Sequence, residues 1–272
     1  MILVISPKTV YFVKRLIQEP SSQNIKYKIS DIQDLLKCNF QVDISSFTAL
    51  YIRYPYLHGS PKYLPRIIKL AKQFKKAGKR VVDANVVTGD IAKGKWVDYQ
   101  KLKKANIRIP NTKLLNRKTI PKQWPFILKW IYGFKAKQVY LIDNQIKFEN
   151  VYNLYPKGEL LVQELLHAEY EYKVITVGYK ALPVILRFRI LGLGFRVDFE
   201  KYQVLKISKV PEVASLAERA SKALGRELSK VDILEMNGQL YVLEVNRFPG
   251  LDSFEKLTNY NVVRAFLHYL QS

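Results

Sequence analysis

The 272-residue chain has a single cysteine, Cys38, and three histidines, His58, His167 and His268. A lone cysteine excludes an internal disulfide and fits a reducing compartment. The histidines are scattered, show no metal-ligand spacing and belong to no nucleophile–base pair. No run approaches the roughly 20 apolar residues of a membrane span. Met1-Ile-Leu-Val-Ile-Ser6 is short and lacks a basic flank, so it reads as a first strand and not a signal peptide. A cytoplasmic protein is the expectation. Ser6-Pro-Lys-Thr9 is not a glycine-rich phosphate fingerprint, which argues against a dinucleotide binder. Acid is also scarce. Ile44 to Val82 carries no Asp or Glu, and neither does Tyr99 to Ile142.

What is present is basic and apolar. Lys and Arg number 45 against 23 acids, a formal net charge of +22, and 48% of residues are hydrophobic. The apolar content suffices for a sizeable core and excludes wholesale disorder. The charge attracts polyanions: nucleic acid, acidic polypeptides, anionic membrane or nucleotides. A solvated basic surface with no partner has the same composition.

The periodicity predicts strands and helices in alternation over the first hundred residues. Strands are expected at Met1–Ile5, Ala49–Arg53 and Arg80–Asp83, and helices at Val10–Gln18 and from Leu64, with Gly78 as a stop. Such alternation points to a parallel α/β layer. Short strand-like runs follow at Lys113–Leu115, Pro125–Trp130, Gln138–Ile142, Gln145–Phe148 and Glu159–Glu164. Further strands are expected at Tyr172–Val177, Lys180–Arg189 and Gln203–Ile207. Pro211–Leu224 reads as a helix stopped by Gly225, and Val262–Leu270 as a terminal helix.

Between those helices lies the most informative segment, Asp232 to Leu251. Two apolar-rich runs around Asn237-Gly238 read as a β-hairpin. Glu244 and Asn246 are two apart and so share one strand face. With Asp232 on the partner strand they form an oxygen set suited to Mg²⁺. A two-residue turn would pair Met236 with Gln239 and leave Asp232 opposite Leu243, on the wrong face. For Asp232 to face Glu244 the loop must have an odd length, such as Asn237-Gly-Gln239, or the strand a bulge; the odd loop is expected, and a plain two-residue turn would weaken a shared metal. Polar rim residues on an ordinary hairpin are the alternative.

The series Val231-Asp-Ile-Leu234, Tyr241-Val-Leu-Glu-Val-Asn246, Pro249-Gly-Leu251 resembles the metal-binding end of ATP-grasp ligases. Phe254-Glu-Lys-Leu-Thr258 is similar to the RimK branch, which includes ribosomal-protein glutamate ligases and LysX-type ligases. The resemblance covers roughly residues 80 to 272. It implies an ATP-grasp fold, α/β with α+β lobes, in three parts. These are an N-terminal parallel α/β domain over 1–90, a central lid subdomain over 91–165, and a C-terminal subdomain with the metal site over 166–272.

The resemblance also implies residue roles. Asp232, Glu244 and Asn246 would hold Mg²⁺ or Mn²⁺ with ATP. Lys129, closing Pro125-Phe-Ile-Leu-Lys129, and Lys95, ahead of Ile107-Arg-Ile-Pro110, would meet phosphates. Leu161-Val-Gln-Glu-Leu-Leu166 is similar to the interlobe hinge, which makes Gln163, Glu164, Leu165 and Leu166 adenine-side candidates. Glu169 or Glu171 would take the ribose. Glu171-Tyr-Lys173 replaces an acid-x-Arg element, with Lys173 keeping the charge but not the planar fork. Arg187 and Arg189 share one strand face, read as turned inward toward anions. Arg196, in Phe195-Arg-Val-Asp198, is a third catalytic candidate. Gly133-Phe-Lys-Ala-Lys-Gln-Val139 departs from the family's glycine-rich loop, with Lys135 and Lys137 as substitute charge. The implied activity is ATP-dependent carboxylate–amine ligation through an acyl phosphate, with an amino acid or an acidic peptide or protein as substrate. A protein that binds nucleotide or nucleic acid without ligating is the alternative.

Overall fold

The computed structural model describes residues 1–19, 25–53, 63–89, 94–116, 120–133, 137–191 and 196–271, with the side chains of 84, 196 and 198 outside the description. Three sheets follow one another along the chain. The first is parallel: β1 (Ile2–Ile5), β2 (Tyr27–Ser30), β3 (Ala49–Ile52) and β4 (Arg80–Val81), in the order β2-β1-β3-β4. Helices α1 (Tyr11–Gln18), α2 (Ile32–Lys37) and α3 (Leu64–Lys76) connect these strands. α3 buries Ile67, Leu70, Ala71 and Phe74 along one stripe. It stops where Gly78 adopts φ +69°, a conformation that costs glycine little. β4 is shorter than expected because Asp83 turns into the left-handed region at φ +57°.

The second sheet is antiparallel. After α4 (Gly94–Lys104) come β5 (Thr112–Leu114), β6 (Phe126–Trp130), β7 (Val139–Ile142), α5 (Gln145–Tyr152) and β8 (Leu160–Glu164), in the strand order β5-β8-β6-β7. The run at Gln145–Phe148, expected as a strand, is the start of α5. Asn144 caps it by accepting from the Lys147 N–H at 2.9 Å. Phe148 and Val151, three apart, are its buried face.

The third sheet contains β9 (Tyr170–Val177), β10 (Lys180–Ala181), β11 (Val184–Leu191), β12 (Arg196–Lys206), β13 (Leu228–Met236) and β14 (Gln239–Asn246). Its order is β12-β11-β9-β13-β14, with β10 paired to β9. Helix α6 (Pro211–Ala223) packs on one face. On the other lie α7 (Asp252–Thr258) and α8 (Val262–Gln271), whose Phe254 and Phe266 join Leu186 and Phe188 of β11 in one core. That core also holds Phe12 of α1 and Tyr51 of β3. The end of the chain thus packs into the first layer.

A buried polar joint fixes the turn after β14. Arg247 donates to Asp83 at 2.9 Å and to Asn85 at 3.0 Å, and Asp83 also accepts from the Glu227 N–H at 2.6 Å. Burial raises the Asp83 pKa despite the guanidinium. Arg53 donates to the Pro249 carbonyl at 2.6 Å. Arg247→Leu should cost about 3 kcal/mol, because it strips a buried carboxylate of its cation. A urea unfolding midpoint unchanged from wild type would contradict this.

Candidate functional site

The β13–β14 hairpin closes with a two-residue turn, not the odd loop. Asn237 and Gly238 take φ +52° and +69°, the mirror-image turn that Asn-Gly favours, and Met236 pairs with Gln239. The register then shifts: Ile233 faces Val242, but Asp232 faces Glu244. Leu243 is the extra residue of a bulge, and the bulge restores the shared face. The bulge is held from outside. Tyr99 of α4 donates its hydroxyl to the Leu243 carbonyl at 2.9 Å, and the Val242 N–H donates to the Arg108 carbonyl at 2.9 Å.

Register places Lys230 and Asp232 of β13, Glu244 and Asn246 of β14, and Glu171 and Lys173 of β9 on one face. The Asn246 amide donates to Asp232 Oδ2 at 2.9 Å. Asp232 Oδ1 is buried with no hydrogen-bond partner among the described residues. Lys173 and Lys230 stand 3.8 and 3.7 Å from it, too far for a hydrogen bond. Lys173 pairs directly with Glu171.

From outside this sheet come Lys95 of α4 and Lys129 of β6. Lys95 Nζ meets Glu244 Oε1 at 2.8 Å. Lys129 is 5% exposed and feels Glu244, Glu171 and Asp232. Burial lowers its pKa to about 8, and neighbouring Lys95 adds to the shift against the pull of those carboxylates. Burial opposes ionisation of Glu244, but Lys95, with Lys129 and Lys230, outweighs it and holds the carboxyl at about 2. Burial raises the pKa of Glu171. In Lys173 it acts downward, but Asp232 and Glu171 prevail and the ammonium pKa rises. Four lysines and three carboxylates therefore interleave where the second and third sheets meet.

Towards the turn end of the same face the surface becomes apolar. Leu166, Ala168 and Leu234 are buried together, with Ile190, Met236, Tyr241 and Leu243 against them. Leu234 lies two residues from Asp232, about 7 Å along the strand. Leu165 and Leu166 follow β8 and lead to β9. Glu164 is exposed and accepts from the Asn111 N–H at 2.6 Å, next to the β5–β8 pairing that joins Thr112 to Gln163. Glu169 is exposed at the mouth, 3.4 Å from the Asn237 N–H. Glu171 belongs to the charged cluster.

Other candidates stand elsewhere. Arg187 and Arg189 pair in register with Tyr172 and Tyr170, on the face opposite Asp232. They are not turned inward: Arg189 is exposed, and Arg187 lies over the Tyr170 ring at 4.4 Å and donates to Gln203. The alternation that buries Leu186 and Phe188 forces this, since neighbours on a strand face opposite ways. Gln163 is buried and engaged, donating to Thr112 Oγ1 at 2.7 Å. Arg196 sits opposite Leu191 in register, its side chain outside the described residues. Phe134, Lys135 and Ala136 of the departing loop also lie outside them. Gly133 is described, and a Cβ there would meet the Trp130 carbonyl at 3.1 Å and Gln138 Cβ at 3.2 Å. Lys230 was not anticipated from the sequence, although its i, i+2 spacing from Asp232 was the available signal.

The donor set fits a divalent cation. It combines a buried carboxylate oxygen without a partner, a second carboxylate held ionised, and an amide oxygen left available by the amide's donated bond. No three His, Cys, Asp or Glu side chains cluster as metal ligands among the described residues, so the amide is needed to complete the set.

A sequence model of the RimK-like ATP-grasp domain matches residues 92–270. The chain is 26% identical over 152 residues to a probable alpha-L-glutamate ligase of Legionella pneumophila, and that match spans 54% of this chain but only 50% of the relative. It is 25% identical to probable alpha-L-glutamate ligase 1 of Shewanella frigidimarina, over 97% of this chain and 92% of that one. The fold superposes on ATP-grasp ligase PsnB, complexed with a phosphomimetic variant of minimal precursor, Mg and ADP, with a TM-score of 0.73 at 16% identity, covering 99% and 97% of the two chains. It also superposes on D-alanine–D-alanine ligase from Bacillus anthracis, with a TM-score of 0.61 at 15% identity, covering 99% and 97%. With a matching domain over most of its length and the ATP-grasp fold throughout, the chain belongs to the RimK-like ATP-grasp family.

Proposed function

We propose that the protein is an ATP- and Mg²⁺-dependent carboxylate–amine ligase acting on an amino acid such as glutamate or on an acidic peptide or protein. The observation that carries this reading is the cleft itself. Lys95 and Lys129 converge from outside the third sheet on Asp232, Glu244, Asn246, Lys173 and Lys230, beside an apolar shelf formed by Leu166 and Leu234. A polyphosphate fits among the cations and a flat base fits the shelf, about 7 Å away along the strand.

Bound ATP would supply a γ-phosphoryl group that converts a carboxylate into an acyl phosphate open to attack by an amine, and bound Mg²⁺ would screen the phosphates. Asp232, Glu244 and Asn246 would hold the metal, which can be Mn²⁺ as well. The chain itself contributes positioning and charge. Lys129 and Lys95 cradle the phosphates. Lys173 and Lys230, 3.8 and 3.7 Å from Asp232 Oδ1, stabilise charge developing at the transferred group. Leu165 and Leu166 offer backbone groups to the base, and Glu169 a carboxylate to the ribose. Arg196 remains a candidate beside the substrate.

The names of the relatives, probable glutamate ligases, support an amino acid as substrate. The PsnB complexes with precursor peptides support a polypeptide partner. The +22 charge favours an acidic one. ADP release should rise above the ATP-only rate with at least one amino acid or acidic peptide, and mass spectrometry should show a product heavier by one amide-linked unit. Saturable Mg²⁺-ATP binding with no product from any acid–amine pair would favour a non-ligating nucleotide binder instead.

A further inference from the structure

Three of the exposed large hydrophobic residues crowd one strand. Phe199, Tyr202 and Val204 of β12 are 66%, 38% and 43% exposed. β12 is an edge strand, and no strand pairs with its outer side among the described residues. Its pairing with β11 is regular from Tyr202 to Lys206, then becomes irregular between Phe188 and Ile190. Edges are ordinarily blunted by being short, bulged or charged. Here the irregularity falls between the Arg196–Val197 and Tyr202–Lys206 pairings and includes Phe199, while the regular stretch carries Tyr202 and Val204 into solvent.

The patch lies on the reaction side. Tyr202 and Val204 face Phe188 and Leu186, which share the Asp232 face. Phe188 packs edge-on against Phe199 at 5.6 Å and against Tyr202 at 6.1 Å. Lys173 Nζ stands 5.5 Å from the centre of the same Phe188 ring. A continuous path therefore runs from the exposed patch through Phe188 to the lysine–carboxylate cluster. On the opposite face of β12, Gln203 is held by Arg187 and Leu205 packs against the core beneath α6. Lys206 is exposed on the same face as Tyr202 and Val204, Glu200 stands between Phe199 and Lys201, and Arg187 and Arg189 add positive charge from the opposite face.

We infer that the edge of β12 docks an extended segment of the polypeptide substrate as an added strand. Its apolar side chains lie on Phe199, Tyr202 and Val204, and its acidic residues meet the surrounding cations. Main-chain pairing supplies affinity and alternate side chains supply choice, as in strand addition generally. This rests on the ligase reading above and adds where a polypeptide substrate is held. A free amino acid has no need of this edge.

The test uses the full chain and a variant carrying Phe199→Ser, Tyr202→Ser and Val204→Ser, all at solvent-exposed positions. The probe is a fluorescein-labelled peptide alternating glutamate with valine or phenylalanine. The wild type should bind it saturably, less tightly at high salt, with slowed amide exchange over Tyr202–Lys206. The variant should bind about tenfold more weakly, with its thermal stabilisation by Mg²⁺-ATP unchanged. Equal binding by both proteins, no binding by the wild type, or protection confined to another element would overturn the inference. So would a wild-type dimer that the variant converts to monomer, because the edge would then serve self-association. Loss of Mg²⁺-ATP stabilisation in both proteins would instead sink the ligase reading and leave the docking result standing.

Discussion

Glu244→Gln is expected to abolish the part of ATP-induced thermal stabilisation that depends on Mg²⁺, while ATP still binds without the metal. Glu244 has two tasks in the cleft. It neutralises Lys95 at 2.8 Å, and it faces Asp232 across the bulged hairpin, where Asp232 Oδ1 is buried without a hydrogen bond. The amide preserves shape but removes the charge a divalent cation requires. Removing it also leaves Lys95, Lys129 and Lys230 less compensated, so metal-free phosphate binding should persist or tighten. Ligation should fall by roughly a hundredfold or more, the scale of losing one preorganised charge at a reacting phosphoryl group. The free protein offers a second readout. Glu244 is held at about 2, below the usual carboxylate value. Its stabilisation is therefore complete above pH about 4.5 and is lost as pH falls towards about 2. The Gln variant should lack that acid-side loss. Mg²⁺-dependent stabilisation at the wild-type level would sink the metal assignment.

The hairpin shows how much of this site a reader of the chain could see. The candidate ligands and their spacing were plain, because i, i+2 positions on a strand must share a face. The loop was harder. Asn-Gly strongly favours the two-residue turn, and the parity it breaks is repaired five residues later at Leu243. That bulge is supported by Tyr99, more than a hundred positions upstream, and no local pattern reveals such support. The arginine strand failed for a related reason. Alternation showed that Arg187 and Arg189 share a face opposite the apolar one, but not which face carries Asp232. That depends on strand order in the third sheet, a long-range property. Gln145–Phe148 was ambiguous because four residues hold too little periodicity to separate helix from strand, and the Asn144 cap decides it. The main secondary elements were legible where apolar periodicity ran long, as in α3 and α6. β2, α2, α4 and α7 carry weaker patterns and become evident only from what they pack against.

Lys129 supplies the other large effect, and its sign separates function from folding. Burial lowers its pKa to about 8, so the folded protein holds this proton less well than the unfolded chain does. Stability should rise as pH goes from about 8 towards the ordinary lysine value, since the unfolded state binds more protons in that window. Bound phosphates reverse the balance by favouring the ammonium form. ATP binding near pH 8 should therefore take up a fraction of a proton, and affinity should weaken as pH climbs further. Calorimetry in buffers of different ionisation enthalpy measures that uptake directly. Lys129→Met should weaken ATP binding about ten- to a hundredfold, the loss of one charge-assisted contact, and should remove the proton uptake near pH 8. The same variant should be at least as stable as wild type at neutral pH, because it relieves a buried cation, and its stability should no longer climb above pH 8. A destabilised variant, or wild-type binding without proton uptake, would mean that Lys129 is a structural strand-end lysine and that the phosphates lie elsewhere.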